Sequence, residues 1–166
     1  MKQLFAAWML SLAVCGVVAA TPADDGVKVT VDKHTDFSAL HTYAWTRGWA
    51  SFDPRIDAHM VDAIDRELRA VGLMRRETEP VDVVVSYGTV QRSDVDVSAK
   101  RGHHRGVYPE YPVGKLVILM REASSRRELL RARAAVPVDV AQLEEQIDAI
   151  VQRIFAQYPT RASDRP

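Results

Sequence analysis

Asparagine is absent from the chain, and cysteine occurs once, as Cys15. The first absence excludes N-glycosylation sequons and leaves tight turns to Gly, Asp, Ser and Pro. The second excludes an intramolecular disulfide. Neither charge sign is in excess, since 22 Lys+Arg balance 22 Asp+Glu for a formal net charge of +0. The electrostatic footprint of a nucleic-acid or polycation binder is therefore missing. Also missing are a P-loop, a dinucleotide glycine fingerprint, a Gly-x-Ser-x-Gly elbow and a His-Glu-x-x-His zinc helix. These gaps weaken the common enzyme readings, and the sequence calls for no cofactor. What is there fits an ordinary soluble domain: 166 residues, of which 47% are hydrophobic and 27% charged. A chain of that size buries one core without staples.

The first twenty residues read as an export signal and not as part of the fold. Lys2 supplies the positive start, Leu4 to Val14 is an uncharged apolar run, and Val18-Ala19-Ala20 places small residues where a signal peptidase cuts. Cleavage after Ala20 is the leading reading, giving an exported, periplasmic protein without cysteine, as an oxidising compartment suits. Leu12-Ala13-Val14-Cys15 also resembles a bacterial lipobox, although Val14 stands where Gly, Ala or Ser is preferred. The alternative is thus acylation at Cys15 and anchoring to the outer membrane. An uncleaved anchor comes third, because the uncharged stretch barely reaches the roughly 17 residues of a short span.

Residues 21–26 form a polar spacer, 27–159 a single domain and 160–166 a flexible tail. Val27, Val29 and Val31 alternate with Lys28, Thr30 and Asp32, the period of a half-buried strand. His41 to Thr46 is a second short strand, and Arg47 to Phe52 a loop. Asp53-Pro54 opens a helix that buries Ile56, Met60, Ala63, Ile64, Leu68 and Val71 and stops at Gly72. Val81 to Tyr87 alternates again and continues, bent, toward Ala99. Gly114 to Arg121 is apolar on both faces at its centre, as a central strand is, and Arg127 to Val136 returns beside it. The last helix opens at Asp139 with Gln142 in capping-box spacing and buries Val140, Leu143, Ile147, Ile150, Val151, Ile154 and Tyr158 before Pro159. The expected fold is α+β: a mixed, mostly antiparallel sheet of about five strands, with two amphipathic helices on one face in the order β-β-α-β-β-β-α.

On these stretches the chain resembles a bacterial envelope family known as domain of unknown function 4136, whose members are often predicted lipoproteins. The resemblance rests on Thr35-Asp36-Phe37-Ser38 with Thr42-Tyr43-Ala44-Trp45, Val71-Gly72-Leu73, the run Val81 to Tyr87, Gly114 to Ile118 and the closing Tyr158-Pro159. The hairpin departs from the family pattern, with Glu122, Leu130 and Ala132 where an acidic residue, a Trp and a Gly are common. The resemblance implies fold and compartment and carries no catalytic residues across.

Several clusters invite a chemical reading. Thr-Tyr-Ala-Trp could be an aromatic platform, but aromatics beside a sheet are more often core. His34, His41 and His59 are scattered, and His59 is read as a boundary residue. His103 and His104, with Asp94 and Asp96 upstream, have the chemistry of a metal site, yet Lys100, Arg101 and Arg105 oppose a cation, so the loop is read as solvated and metal-free. Residues Arg101 to Pro112 lack any apolar period and are expected to be mobile until a partner orders them.

The hairpin gives the sharpest expectation. Pairing Leu116, Ile118 and Met120 with Ala132, Leu130 and Glu128 makes Glu122 to Arg126 the turn. The opposite face then sets Lys115 against Arg133, Val117 against Arg131, Leu119 against Leu129 and Arg121 against Arg127. Opposed like charges destabilise by up to about 1 kcal/mol a pair. Screening by solvent and acids on neighbouring strands is the bland account. The functional one makes Arg121, Arg127, Arg131 and Arg133 a surface for an unknown envelope protein or anionic envelope component. Three classes of function follow: a non-catalytic envelope binding or accessory module, which is the preferred reading; an uncharacterised periplasmic enzyme with its site under the 99–113 loop; and a lipid-anchored structural lipoprotein held through Cys15. Nucleic acid is not an expected partner, and a membrane enters only through the N-terminal lipid.

Overall fold

The computed structural model describes residues 26–46, 48, 53–78, 80–95 and 110–160, with the side chains at 94, 95, 110 and 111 left aside. The expected signal, Cys15, most of the spacer and of the 47–52 loop, His103 and His104 with Asp96, and the tail beyond residue 160 lie outside the described residues.

The described residues form six strands and two α-helices: β1 (Val27–Val31), β2 (Thr42–Trp45), α1 (Pro54–Ala70), β3 (Met74–Arg75), β4 (Val83–Val95), β5 (Glu110–Glu122), β6 (Glu128–Pro137) and α2 (Leu143–Phe155). The sheet order is β1-β6-β5-β4-β2-β3. The β1-β6-β5-β4 portion is antiparallel, whereas β2 runs parallel to both β4 and β3. The α+β architecture expected from the hydrophobic pattern is thus present. The extra strand is β3, whose two residues are too few to show an alternation.

Helix α1 begins where its cap residues require. Asp53 accepts the Arg55 N–H at 2.9 Å, and Pro54 occupies the first turn. It ends at Gly72, whose φ of +94° an L side chain would resist. There Leu73 N–H reaches Leu68 C=O and Gly72 N–H reaches Arg69 C=O, both at 3.0 Å, the paired bonds of a Schellman end. Met60, Ala63, Ile64 and Leu68 are buried against the sheet, with Ile56 and Val71 at the margin.

The start of α2 differs from expectation. Val140–Gln142 wind as a 3-10 turn, so Val140 is 79% exposed and not buried. Asp139 still caps, accepting Ala141 N–H at 3.0 Å, but the reciprocal acceptor is Gln146 and not Gln142. A tighter first turn moves the α-helical phase onward, and the side chain that faces back is then the later glutamine.

The hairpin register also differs. Leu116 lies opposite Ala134, Ile118 opposite Ala132 and Met120 opposite Leu130, a shift of two residues from the expected pairing. The turn closes one residue tighter, with Glu122 N–H donating to Arg127 C=O and Arg126 at φ +61°. A bulge after Met120 adds the second residue and sets Arg121 opposite Glu128. Leu129 and Leu130, consecutive at the bulge, are both buried at 1% exposure. From Leu130 onward the shift is even, so those side chains keep their expected face while their partners change, whereas Glu128, beyond the bulge, moves from the expected inner face to the outer one opposite Arg121. The like-charged pairs Lys115 with Arg133 and Arg121 with Arg127 therefore do not form; Lys115 faces Ala135.

Strand β4 pairs with β5 without interruption out to Val95 opposite Glu110. Glu110 to Pro112, expected within the mobile loop, are strand; Pro112 and Gly114 conceal the extension because neither gives an alternation signal. The core lies between the inner sheet face, carrying Val83, Val85, Ile118 and Met120, and the two helices, which contribute Ile64, Leu68, Val151 and Ile154.

Candidate functional site

The aromatic strand β2 is core. Tyr43 is fully buried, and its hydroxyl donates to Asp65 Oδ1 at 2.6 Å. Trp45 Nε1 donates to the same oxygen at 2.9 Å, and Arg75 Nη1 donates to Asp65 Oδ2 at 2.9 Å. Burial, reinforced by the bond to Asp65, pushes the Tyr43 phenol far above its usual range. Trp45 meets Tyr87 edge to face with centroids 6.1 Å apart. A single buried carboxylate thus ties α1 to β2 and β3. Periodicity alone could not find it, since Asp65 differs from exposed Asp62 and Arg66 only by lying at the edge of the stripe between Ile64 and Leu68.

Asp82 works in the same way one strand over. Its Oδ2 accepts His41 N–H at 2.9 Å, Thr42 N–H at 2.8 Å and the Thr42 hydroxyl at 2.9 Å. The bond from the His41 backbone is the main reason its carboxyl titrates below the usual range. His59 joins the helices: its Nε2 lies 3.1 Å from Asp148 Oδ1 and 3.2 Å from Glu144 O, and Arg66 donates to that Asp148 oxygen at 2.7 Å. Among the described residues no group of three or more His, Cys, Asp and Glu could hold a metal ion. Asp94 sits in β4 by its backbone, and its expected companions Asp96, His103 and His104 lie outside the described residues.

The predicted arginines divide. Arg121, Arg131 and Arg133 stand on the sheet face turned away from the helices, as their alternation with Met120, Leu130 and Ala132 requires. Arg127 does not join them. Its guanidinium turns to Asp32, to Thr35 Oγ1 at 3.0 Å and to Glu122 at 3.5 Å, where the bulge and turn carry it off the ladder. Two cations missing from the expected set take its place, Lys28 from β1 and Lys115 from β5. Lys28 lies directly opposite Arg133 across the β1–β6 ladder. That like-charged pair needs the β1–β6 adjacency, which no single segment reveals.

Against these five cations the paired positions of β1, β5 and β6 on this face offer one described carboxylate side chain, Glu128, while Asp32, just past the end of β1, is taken by Arg127. It accepts Arg131 Nε at 2.9 Å and holds the Arg131 pKa above its ordinary value, while Arg121 lies opposite it on the ladder. Among the described residues no carboxylate bonds Lys28, Lys115 or Arg133. Lys28 and Arg133 are exposed, Lys115, Arg121 and Arg131 half-buried, with half-buried Val117 and Leu119 between them. Toward β4 the face closes, and Val84 and Ser86 are buried. The exposed part over β1, β6 and the near side of β5 is a cationic strip with aliphatic ground, suited to an anionic partner.

The family profile of a domain of unknown function (DUF4136) matches residues 27–160. The chain belongs to this family. No curated protein matches the sequence. Among solved structures, a PDZ domain protein from Parabacteroides distasonis aligns at TM-score 0.59 and 17% identity over 81% of this chain and 35% of its own. This chain thus spans about a third of that protein's length. The PelC dodecamer from Paraburkholderia phytofirmans aligns at TM-score 0.54 and 13% identity over 78% of this chain and 96% of its own. A minor lipoprotein from Acinetobacter baumannii aligns at TM-score 0.42 and 13% identity, over 74% and 95%. At these identities the likeness is one of fold. No helix among the described residues is long and apolar enough to cross a membrane.

Proposed function

We propose that this member of the domain of unknown function 4136 family is a non-catalytic module of the bacterial cell envelope, exported to the periplasm, and that it binds an anionic envelope component. The cationic strip of the outer sheet face carries this reading. Opposed cations in a sheet cost stability, and among the described residues no carboxylate pairs Lys28 or Arg133. The buried carboxylate Asp65 is spent on structure, accepting from Tyr43, Trp45 and Arg75, and half-buried Asp82 accepts three bonds on its Oδ2 from His41 and Thr42. The export signal read at Lys2 to Ala20 supports the compartment.

Co-sedimentation of the purified protein with its own cell-envelope fraction tests the reading. Retention should fall as salt rises from about 0.1 M to 1 M, because the screening length shrinks from about 10 Å to 3 Å. The double variant Lys28→Glu/Arg133→Glu should lose retention while keeping its thermal midpoint. Undiminished retention of a folded double variant removes this face from consideration.

A further inference from the structure

The interior is not filled evenly along the helices. At the C-terminal half of α1, Tyr43, Ile64, Leu68 and Leu73 close the layer with 1% exposure or less. At the N-terminal ends of both helices a cavity of about 680 Å³ opens between helices and sheet. Ile56 and Met60 of α1 and Leu143, Ile147 and Ile150 of α2 line one side of it. The sheet supplies small residues there, Gly114 on β5 and Ala134 on β6, where the opposite end supplies Met120 and Leu130. Gly114 has no room for more: a Cβ would come within 2.9 Å of Val138 Cγ2, and Val138 forms a further wall. The void thus follows from side-chain size at named positions.

Its chemistry limits its ligand. The walls are aliphatic, and the polar lining residues Asp53, Thr89, Gln91 and Gln146 are exposed or half-exposed, so they mark the rim. Lys115 contributes from a strand position whose side chain belongs to the other face. An aliphatic-walled pocket that opens at a polar rim accepts apolar matter at its base, and its volume lies within the range of ligand sites. The one rim carboxylate, Asp53, is held by the Arg55 N–H and guanidinium, and Gln146 is bonded to Asp139 and Pro137, so the neutral hydroxyl and amide of Thr89 and Gln91 set the rim's character, which suits an uncharged head able to hydrogen-bond. We propose that the cavity between the helix N-terminal ends and the sheet binds one aliphatic chain bearing an uncharged, hydroxylated head, of the monoacylglycerol class. This site shares only Lys115 with the cationic strip and does not depend on Lys28 or Arg133.

The neutral fluorophore N-phenyl-1-naphthylamine reports on the cavity directly, with 1-monomyristoylglycerol as competitor and myristate as the anionic comparison. The full chain should take up the fluorophore saturably with one site, monomyristoylglycerol should displace it, and myristate should displace it less well. Ala134→Leu grows a side chain into the void and should weaken uptake roughly tenfold or more with an unchanged or raised thermal midpoint. Val136→Phe, on the same strand face, serves if Ala134→Leu fails to fold. Lys28→Glu/Arg133→Glu should leave uptake unaltered, which separates failure here from failure of the proposed function. Absence of saturable uptake by the unmodified chain, uptake by either folded filling variant at the unmodified affinity, or stronger displacement by myristate would overturn the proposal.

Discussion

The two faces of the sheet are written in alternate residues of the same strands, yet they follow different rules. Beneath the helices, Val83, Val85, Ile118 and Met120 are fully buried, and the polar groups that accompany them meet on Asp65 with bonds of 2.6 to 2.9 Å. On the other face, Lys28 and Arg133 oppose each other in register with no carboxylate between them among the described residues. Around Asp65 the inner layer satisfies its polar groups, whereas the outer face leaves opposed cations unpaired among the described residues. A departure from local optimisation at a position where one acidic substitution would remove it is where function is to be sought.

The contrast can be broken most severely at Asp65. Asp65→Ala should destabilise the domain by about 3 kcal/mol or more, since Tyr43, Trp45 and Arg75 all lose their acceptor and two of the donors sit in or beside the core. Urea unfolding followed by Trp fluorescence reads the loss; a change under about 1 kcal/mol would mean the network is not structural. Asp82 provides a pH-resolved version. Its folded carboxyl titrates below the ordinary 3.8, so its contribution is present above the unfolded value and is lost as pH falls through the folded one. Asp82→Asn should therefore be less stable than the unmodified protein at neutral pH, with the gap narrowing below about pH 4. A gap that stays constant into acid would refute the assignment.

Two smaller substitutions sharpen the comparison. Tyr158 is 1% exposed, packs edge to face on Phe37, and its buried hydroxyl has no partner among the described residues. Tyr158→Phe should thus be neutral or stabilising by up to about 1 kcal/mol, whereas Tyr43→Phe should destabilise by about 1 to 2 kcal/mol. Equal effects would mean that the Asp65 bond confers nothing. On the outer face, Arg133→Glu turns an opposed like-charged pair into an opposed ion pair, so its thermal midpoint should rise slightly or hold, by no more than about 1 kcal/mol of stability.

The extent to which all this could be read in the chain varied with the range of the interaction. The caps of α1 were legible because Asp53, Pro54 and Gly72 act within a few residues. The faces of β5 and of β6 from Leu130 onward were legible because alternation survives an even shift of register, whereas that of Glu128, beyond the bulge, was not. The bulge after Met120 was not, since it depends on burying two consecutive leucines against elements remote in sequence. For the same reason Arg127 was placed with the wrong neighbours, Asp32 being 95 positions away. Asp65 was hidden by its surroundings on α1, and Lys28 by an adjacency that only the whole sheet creates.

The account turns on whether the outer face binds as a patch or the protein merely responds to total charge. Envelope retention of Lys28→Glu/Arg133→Glu should be measured beside that of Lys33→Glu/Arg76→Glu, which makes the same change in net charge at exposed positions off the strip. The patch account predicts that the first variant loses retention and the second keeps most of it, at matched salt and with both proteins folded. Equal loss in the two, or equal retention, would contradict it.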